Sequence, residues 1–321
     1  MDGKVVVGVD IGGTKVAAGV VTPDGEIIRQ TRAPMSSRGD AAAGISSVEM
    51  AIRALMNGDN PTVGAIGICS PGPLDPKNGI VINPPNLPCW RNFPLGENMR
   101  RLFAVPVSID NDANAAALAE ARWGAGRGYR NVFYAGVGTG IGTGIVFDGK
   151  IYHGRTGAAA EGGHVGIDIH GPVCGCGKRG CIEMIASGPA IARRAREALE
   201  GGGKSALRDL VNNDVSQITG HTVGEAADAG DGVARKIMQD TLDALAYWLG
   251  NIIDLIEPDV IVIGGGVSST LAPHLPEIRE RWKGAVVNPW LDEIPMVLAR
   301  YGEDSGIAGA AALCGTIPNR S

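Results

Sequence analysis

The sequence predicts an α/β protein of two lobes, from three observations. Apolar runs of strand length alternate with stretches of helical spacing along most of the chain. At 321 residues the chain is long enough for two lobes, each with its own core. A strand–glycine turn–strand unit also occurs twice, first around Gly12 and again around Gly140. Two copies of one plan indicate a duplicated lobe.

Val5 to Asp10 is an apolar run, followed by Gly12, Gly13, Thr14 and Lys15 and then by Val16 to Val21: strand, tight turn, strand. Pro23-Asp24-Gly25 marks a turn into a third strand at Glu26 to Gln30. Ala41 to Met56 reads as a helix, and Gly64 to Cys69 as a strand closed by Ser70-Pro71-Gly72-Pro73. The proline-rich stretch Pro84 to Pro94 is a loop that carries Asn86 and Trp90. Val105 to Ile109 is a strand, Asn111-Asp112 follows directly, and the alanine-rich run Ala113 to Trp123 is a helix. Asp112 therefore falls where a strand ends and a helix starts, the place where parallel α/β folds put ligands.

Val132 to Val137 then leads into the second glycine turn, Gly138 to Gly144, and into a strand at Ile145 to Phe147 with the turn Asp148-Gly149. This copy has Gly138 where the first has Asp10, so it lacks the acid. From Val233 to Ile256, apolar residues recur at the spacing of a long amphipathic helix, which Pro258 ends. Val260 to Ile263 is a strand leading to Gly264-Gly265-Gly266, and Gly306 to Leu313 is a closing helix of small residues.

Composition excludes several classes. The net charge of −5 leaves no basic field for nucleic acid, and Arg193, Arg194 and Arg196 read as a solvated helix face. No apolar run is long enough to cross a membrane. Met1 to Lys4 lacks a basic leader region, and the first strand leaves no room for an N-terminal DNA-binding helix-turn-helix, so a cytoplasmic protein is expected. Ala198 to Ser205 satisfies a relaxed P-loop pattern, but helical sequence precedes it where a strand is required, so it is a surface loop.

Five groups of residues carry candidate chemistry. Asp10 with Gly12, Gly13, Thr14 and Lys15 suits phosphate: glycines let backbone N–H groups face the oxygens, and Asp10 can hold Mg²⁺. The second turn, Gly138, Thr139 and Gly140, and the run Gly264 to Gly266 repeat that signal. Asn111-Asp112 offers a carboxylate able to take a proton from an attacking hydroxyl; the plain alternative is a helix cap, filled by one residue while the other points outward. Glu161 and His164 in a glycine-rich stretch suit hydroxyl recognition, as does Asn86, unless the latter only stabilises its turn. Cys174, Cys176 and Cys181 with His164 form a Cys₃His set without an open position, the signature of structural zinc in a reducing compartment. His170 is an alternative fourth ligand; Lys178 and Arg179 would offset thiolate charge, and Glu183 would be held nearby.

These residues resemble the ROK family (repressors, open reading frames, sugar kinases) nearly end to end. The likeness runs through Asp10-Ile11-Gly12-Gly13-Thr14-Lys15, Ser70-Pro71-Gly72-Pro73, Pro85-Asn86-Leu87-Pro88-Cys89-Trp90 and Asn111-Asp112-Ala113-Asn114-Ala115-Ala116. It continues through Glu161-Gly162-Gly163-His164, the Cys174–Cys181 knuckle with Glu183, and Gly264-Gly265-Gly266. Each motif is weak alone; their order and spacing are specific.

The resemblance implies a two-lobe actin-like ATPase (hexokinase-like) fold with a zinc knuckle, and a cleft between ATP with Mg²⁺ and a hexose. Asp112 becomes the catalytic base, and Asn86, Asn111, Asp112, Glu161, His164 and Glu183 the sugar contacts. His164, Cys174, Cys176 and Cys181 become zinc ligands. Asp10, Gly12, Gly13, Thr14, Lys15, Gly138, Thr139, Gly140, Gly265 and Gly266 become the ATP and phosphate site.

The expected activity is ATP-dependent phosphorylation of glucose to glucose 6-phosphate, by likeness to the glucokinases of the family. The alternatives are fructokinase, mannokinase, N-acetylmannosamine kinase, a polyphosphate-dependent glucokinase, or a non-catalytic sugar sensor. A homodimer or homotetramer is expected. Residues 1–110 are expected to form the N-terminal lobe, with the C-terminal helix 300–321 returning to it. Residues 111–299 are expected to form the C-terminal lobe, with the zinc site and nucleotide contacts. Gly163 stands where a larger apolar residue commonly precedes the histidine, which is expected to loosen the sugar pocket.

Overall fold

A computed structural model describes residues 4–56 and 62–315. The strands are β1 (Lys4–Ile11), β2 (Lys15–Val21), β3 (Ile27–Pro34), β4 (Thr62–Ser70), β5 (Leu74–Asp75), β6 (Ile80–Val81), β7 (Val107–Asn111), β8 (Asn131–Val137), β9 (Ile141–Phe147), β10 (Lys150–Ile151), β11 (Val260–Gly264) and β12 (Met296–Leu298). The helices are α1 (Ala41–Leu55), α2 (Leu95–Phe103), α3 (Asp112–Trp123), α4 (Glu183–Ala186), α5 (Gly188–Glu200), α6 (Leu207–Leu210), α7 (Gly220–Asp228), α8 (Gly232–Ile256), α9 (Ser268–Leu271), α10 (Leu275–Glu280) and α11 (Ser305–Ala312).

Two compact units emerge. The first comprises Met1–Arg130, Gly144–Ala160 and Arg300–Ser321, of which 1–3, 57–61 and 316–321 lie outside the described residues; the second comprises Asn131–Thr143 and Glu161–Ala299.

The first unit is built on a sheet of order β3-β2-β1-β4-β7. β1, β4 and β7 run parallel, while β2 and β3 return antiparallel. The strands are Val/Ile-rich because both faces are covered. On one face α1, capped by Asp40, buries Val48, Ile52 and Leu55 in a core with Val7, Val9, Ile66 and Ile68. Each such side chain contributes about 1.5–3 kcal/mol by leaving water.

On the other face lies α11, almost entirely Gly and Ala, and the small residues are required. A Cβ on Gly8 would stand 2.0 Å from the Ile307 carbonyl oxygen, and one on Gly67 would stand 1.7 Å from that of Ala310. α3 packs on α11 in the same way, with Gly309 against Ala115. β7 runs straight into α3, and α3 shares a core cluster with α11. The compact division therefore keeps α3 in the first unit, whereas the sequence boundary at 110/111 assigns it to the second.

The second unit repeats the plan with the order β10-β9-β8-β11-β12, of which its own residues supply β8, the start of β9, β11 and β12. β8, β11 and β12 are parallel. The duplication read from the two glycine turns is thus a duplication of sheet topology. α8 spans 25 residues, buries Ile237, Leu245, Trp248 and Ile252, and ends at Glu257 in left-handed backbone before Pro258.

Arg193, Arg194 and Arg196 do not form a solvated face. Arg193 bonds the Met184 carbonyl, Arg194 the Ile185 and Ile237 carbonyls and Thr241, and Arg196 the Ile218 carbonyl. They tie α5 to its neighbours, because a guanidinium fork can donate to several backbone carbonyls at once. Helix α2 is absent from the sequence prediction; Pro94 starts it without a side-chain cap. Among the described residues, no helix is long and apolar enough to cross a membrane.

Candidate active site

In the first unit, parallel register aligns the carboxyl ends of three strands. Asp10 of β1 lies opposite Cys69 of β4, which lies opposite Asp110 of β7, and Ser70 lies opposite Asn111. Polar groups gather there because the sheet edge opens beyond the core. The Gly12-Gly13 turn is closed by Gly12 N–H donating to the Lys15 carbonyl at 2.9 Å. The Asn86 loop packs directly on it: a Cβ on Gly13 would stand 2.9 Å from the Asn86 carbonyl oxygen. The Asn86 side chain is exposed and makes no hydrogen bond among the described residues, so it does not stabilise its own turn. Thr14 and Lys15 are exposed beside it.

Asp10 is backed by α11, where any side chain on Gly306 would strike its carboxylate, a Cβ falling 2.4 Å from Cγ. Burial raises the Asp10 carboxyl above its usual range, while the Cys69 thiol and Lys15 pull it partly back. Cys69, read from sequence only as the end of a strand, is fully buried, with Sγ 3.5 Å from Asp10 Oδ1 and 3.3 Å from the Gly306 carbonyl. Burial, then the charges of Asp10 and Asp112, hold that thiol well above its ordinary range, so it stays protonated.

The turn from β7 to α3 resolves the cap question. Asn111 is the N-cap, its Oδ1 accepting from the N–H groups of Ala113 at 2.9 Å and Asn114 at 3.4 Å. Asp112 is left exposed, its Oδ1 accepting the adjacent Ala113 N–H at 2.8 Å, and the Asn111 side chain also bonds its carboxylate. Although solvent reaches the carboxylate, surrounding protein thins the water around it. That desolvation, helped by the Asp10 charge and opposed by the Ala113 N–H, raises Asp112 to about 6.

Below it Asp110 is buried and fully used: Oδ1 accepts from the N–H of Asn111 at 2.7 Å and from Asn114 Nδ2 at 3.0 Å, and Oδ2 meets His153 Nε2 at 2.5 Å. That contact raises the His153 ring's affinity for a proton against the effect of burial. Sequence reasoning missed Asp110 and His153; the signal was a second acid beside Asn111-Asp112.

In the second unit, the Gly138–Gly140 turn is closed by Gly138 N–H donating to the Gly140 carbonyl at 2.8 Å. The third glycine run packs on it: a Cβ on Gly265 would lie 2.4 Å from the Val137 carbonyl, and one on Gly138 would lie 3.4 Å from Gly266 N. Glu183 belongs to this turn as well. Its Oε2 accepts the Ile141 N–H at 2.9 Å and leaves no room for a side chain on Gly140. The two glycine runs and Glu183, distant in sequence, are therefore one assembly.

The Glu161–His164 stretch is a 3₁₀ turn pinned by Thr143 Oγ1, which accepts the Gly162 N–H at 2.8 Å, and by the Trp248 indole, which donates to the Gly162 carbonyl at 3.1 Å. Gly163 does not open a gap. The backbone has closed in until a Cβ there would fall 1.9 Å from the Ile141 carbonyl oxygen. The expected loosening at this position is replaced by close backbone contact. Glu161 is exposed and its carboxylate makes no hydrogen bond among the described residues.

His164, Cys174, Cys176 and Cys181 converge, with all four donor atoms within 4.8 Å of one another; His170 is not among them. Cys174 Sγ lies 3.6 Å from His164 Nδ1, and Cys176 Sγ 3.6 Å from Cys181 Sγ. A tetrahedron with Zn–S bonds of about 2.3 Å has edges of about 3.8 Å, so the residues present fit a zinc ion. Lys178 Nζ donates to the His164 carbonyl at 2.9 Å, while Arg179 bonds the Gly171 carbonyl. His164 Nδ1 faces the cluster, which leaves Nε2 for other work.

Comparison with known proteins agrees with this geometry. The description of the ROK family matches residues 6–317. The chain is 35% identical to the glucokinase of Thermotoga maritima over 96% of both chains, and 33% identical to the N-acetylmannosamine kinase of Yersinia pseudotuberculosis over 94% of this chain and 95% of that one. It superposes, with a TM-score of 0.81 and 35% identity, on a ROK family glucokinase from Streptomyces griseus in complex with glucose and AMPPNP, covering 96% of this chain and 98% of that one. With the hexokinase-like two-lobe fold and both glycine turns in place, the chain belongs to the ROK family and is one of its sugar kinases, an enzyme that phosphorylates a hydroxyl group.

Proposed function

We propose that the enzyme transfers the γ-phosphoryl group of ATP to a hydroxyl of glucose, giving glucose 6-phosphate, with Asp112 as general base. The observation that carries this reading is the division of labour at the head of α3. Asn111 takes the cap, so Asp112 gives its helix no more than the shared Ala113 N–H contact through Oδ1 and keeps its carboxylate exposed. With its carboxyl at about 6, Asp112 is ionised at neutral pH yet basic enough to accept a hydroxyl proton as the phosphoryl group arrives. Asn86, Asn111, Asp112, Glu161, His164 and Glu183 are the residues that the family resemblance assigns to sugar hydroxyls. Glu183 has only Oε1 to offer, since Oε2 serves the Ile141 N–H.

Backbone N–H groups of Gly12 to Lys15 and of Gly138 to Gly140 face the phosphates, Thr14 adds a hydroxyl and Lys15 a charge, and Gly265 and Gly266 border the nucleotide. Asp10 would hold Mg²⁺, directly or through water, and the ion when bound neutralises charge on the β- and γ-phosphates. The four-ligand cluster would hold structural zinc, which fixes the His164 tautomer and leaves Nε2 free to meet a hydroxyl.

The N-acetylmannosamine kinase relative supplies the second reading, in which the same machinery takes an N-acetylated hexose. A panel of hexoses against ATP and polyphosphate, with Asp112→Asn as control, separates these. Glucose with ATP should give the highest kcat/KM. Sugar binding without turnover on any hexose would replace the enzyme by a sensor.

A further inference from the structure

The first unit contains a cavity of about 900 Å³ that includes none of the residues assigned above to catalysis, sugar or phosphate. Its wall carries Lys77, Arg100, Arg122, Lys150 and Arg155, against only two carboxylates, Asp75 and Asp110. Both acids are already engaged: Asp75 accepts from the Asn78 N–H at 3.1 Å and from Asn78 Nδ2 at 2.6 Å, and Asp110 holds His153.

None of the five cations has a carboxylate within ion-pair distance among the described residues. In a chain of net charge −5, that is a local reversal of sign. Isolated surface lysines commonly stand unpaired, but five cations around one cavity repel one another unless an anion joins them. Arg122 is the most telling of them. It is half-buried, anchored through Nη1 to the Ala312 carbonyl at 2.6 Å and laid over Trp123, and burial depresses its proton affinity. A desolvated guanidinium without a counter-ion is the partner a phosphate oxygen completes.

The cavity exceeds what inorganic phosphate needs. Ile109, Leu118 and Leu313 give it an apolar side, and Ser108 and Thr156 offer hydroxyls. We infer that this cavity is a second ligand site, for an organic phosphate whose phosphoryl group sits among the cations and whose polar body spans the remaining space. Asp110 belongs to its wall and also accepts the N–H of Asn111, so the site lies one carboxylate away from the turn that carries Asp112.

The test is isothermal titration of the full chain with glucose 6-phosphate, ATP, inorganic phosphate and, at matched ionic strength, sulfate. Each is run on wild type and on Lys150→Gln/Arg155→Gln, two exposed positions outside the catalytic machinery. Glucose 6-phosphate or ATP should bind more tightly than phosphate or sulfate, and the double variant should weaken that binding at least about tenfold. Its turnover with ATP and sugar should stay within about twofold of wild type, which separates this site from the kinase reading. Affinity unchanged in the variant would assign the anion to the glycine turns and overturn the site. Equal binding of sulfate, or no binding of any probe, would overturn it too.

Discussion

Lowering the pH is the most direct challenge to Asp112. With its carboxyl at about 6, roughly nine molecules in ten carry the free base at about pH 7 and one in ten at about pH 5, so kcat/KM should fall about tenfold. An unperturbed aspartate, near 3.9, would lose less than about a tenth of its activity over that interval. The assay is ADP release at saturating ATP and limiting sugar, with enzyme held at the acid pH and then re-tested at neutrality to exclude unfolding.

The same shift has a stability counterpart. The folded value lies above the unfolded one, so this group's contribution to stability is fully present below about 3.9 and is lost as pH rises through about 6. Asp112→Asn removes that titration. The variant should therefore melt above wild type at neutral pH, the gap closing in acid, while turnover disappears. A profile flat down to about pH 5, or an acid limb near 4, would refute the account of how this base is tuned.

Three further outcomes are expected. Cys176→Ser should lower bound zinc, Tm and kcat together, because the knuckle holds the His164 turn; a variant keeping full metal content and wild-type melting would remove zinc from that cluster. Gly140→Ala places a Cβ 2.5 Å from Glu183 Oε2 and should raise the KM values for ATP and sugar together; a change confined to ATP would take Glu183 out of the sugar site. Gly67→Ala forces a methyl to 1.7 Å from the Ala310 carbonyl and should cost about 1–3 kcal/mol or more in urea unfolding, whereas an unchanged midpoint would show that α11 yields freely.

Much of this molecule is legible in its residues because the signals are local. Glycine turns between apolar runs declare themselves, and the period of α8 and the tight Cys174–Cys181 spacing need no tertiary knowledge. What stayed hidden depends on partners far away in sequence. Arg194 looks solvated until Thr241 and the Ile237 carbonyl arrive beside it. Gly163 looks like a missing side chain until Ile141 is seen to occupy the space. Asp110 is silent in sequence because its meaning lies in His153, which only the folding of the loop after β10 brings within reach. α2 went unread because Gly96 and the missing side-chain cap at Pro94 outweighed the Glu97 and Arg100-Arg101 end charges in so short a segment.

The long reach of α11 bears on the order in which the protein is made. Arg122 grips the Ala312 carbonyl across 190 residues of sequence, and Gly306 backs Asp10 from the same segment. A ribosome delivers the sheet of the first unit early and its cover late. Until α11 emerges, the face around Gly8 and Gly67 is bare, while residues 161–299 have already been synthesised. Residues 161–299 are thus free to finish folding before the sheet of the first unit is covered, and Asp10 gains its backing only once Gly306 has been made.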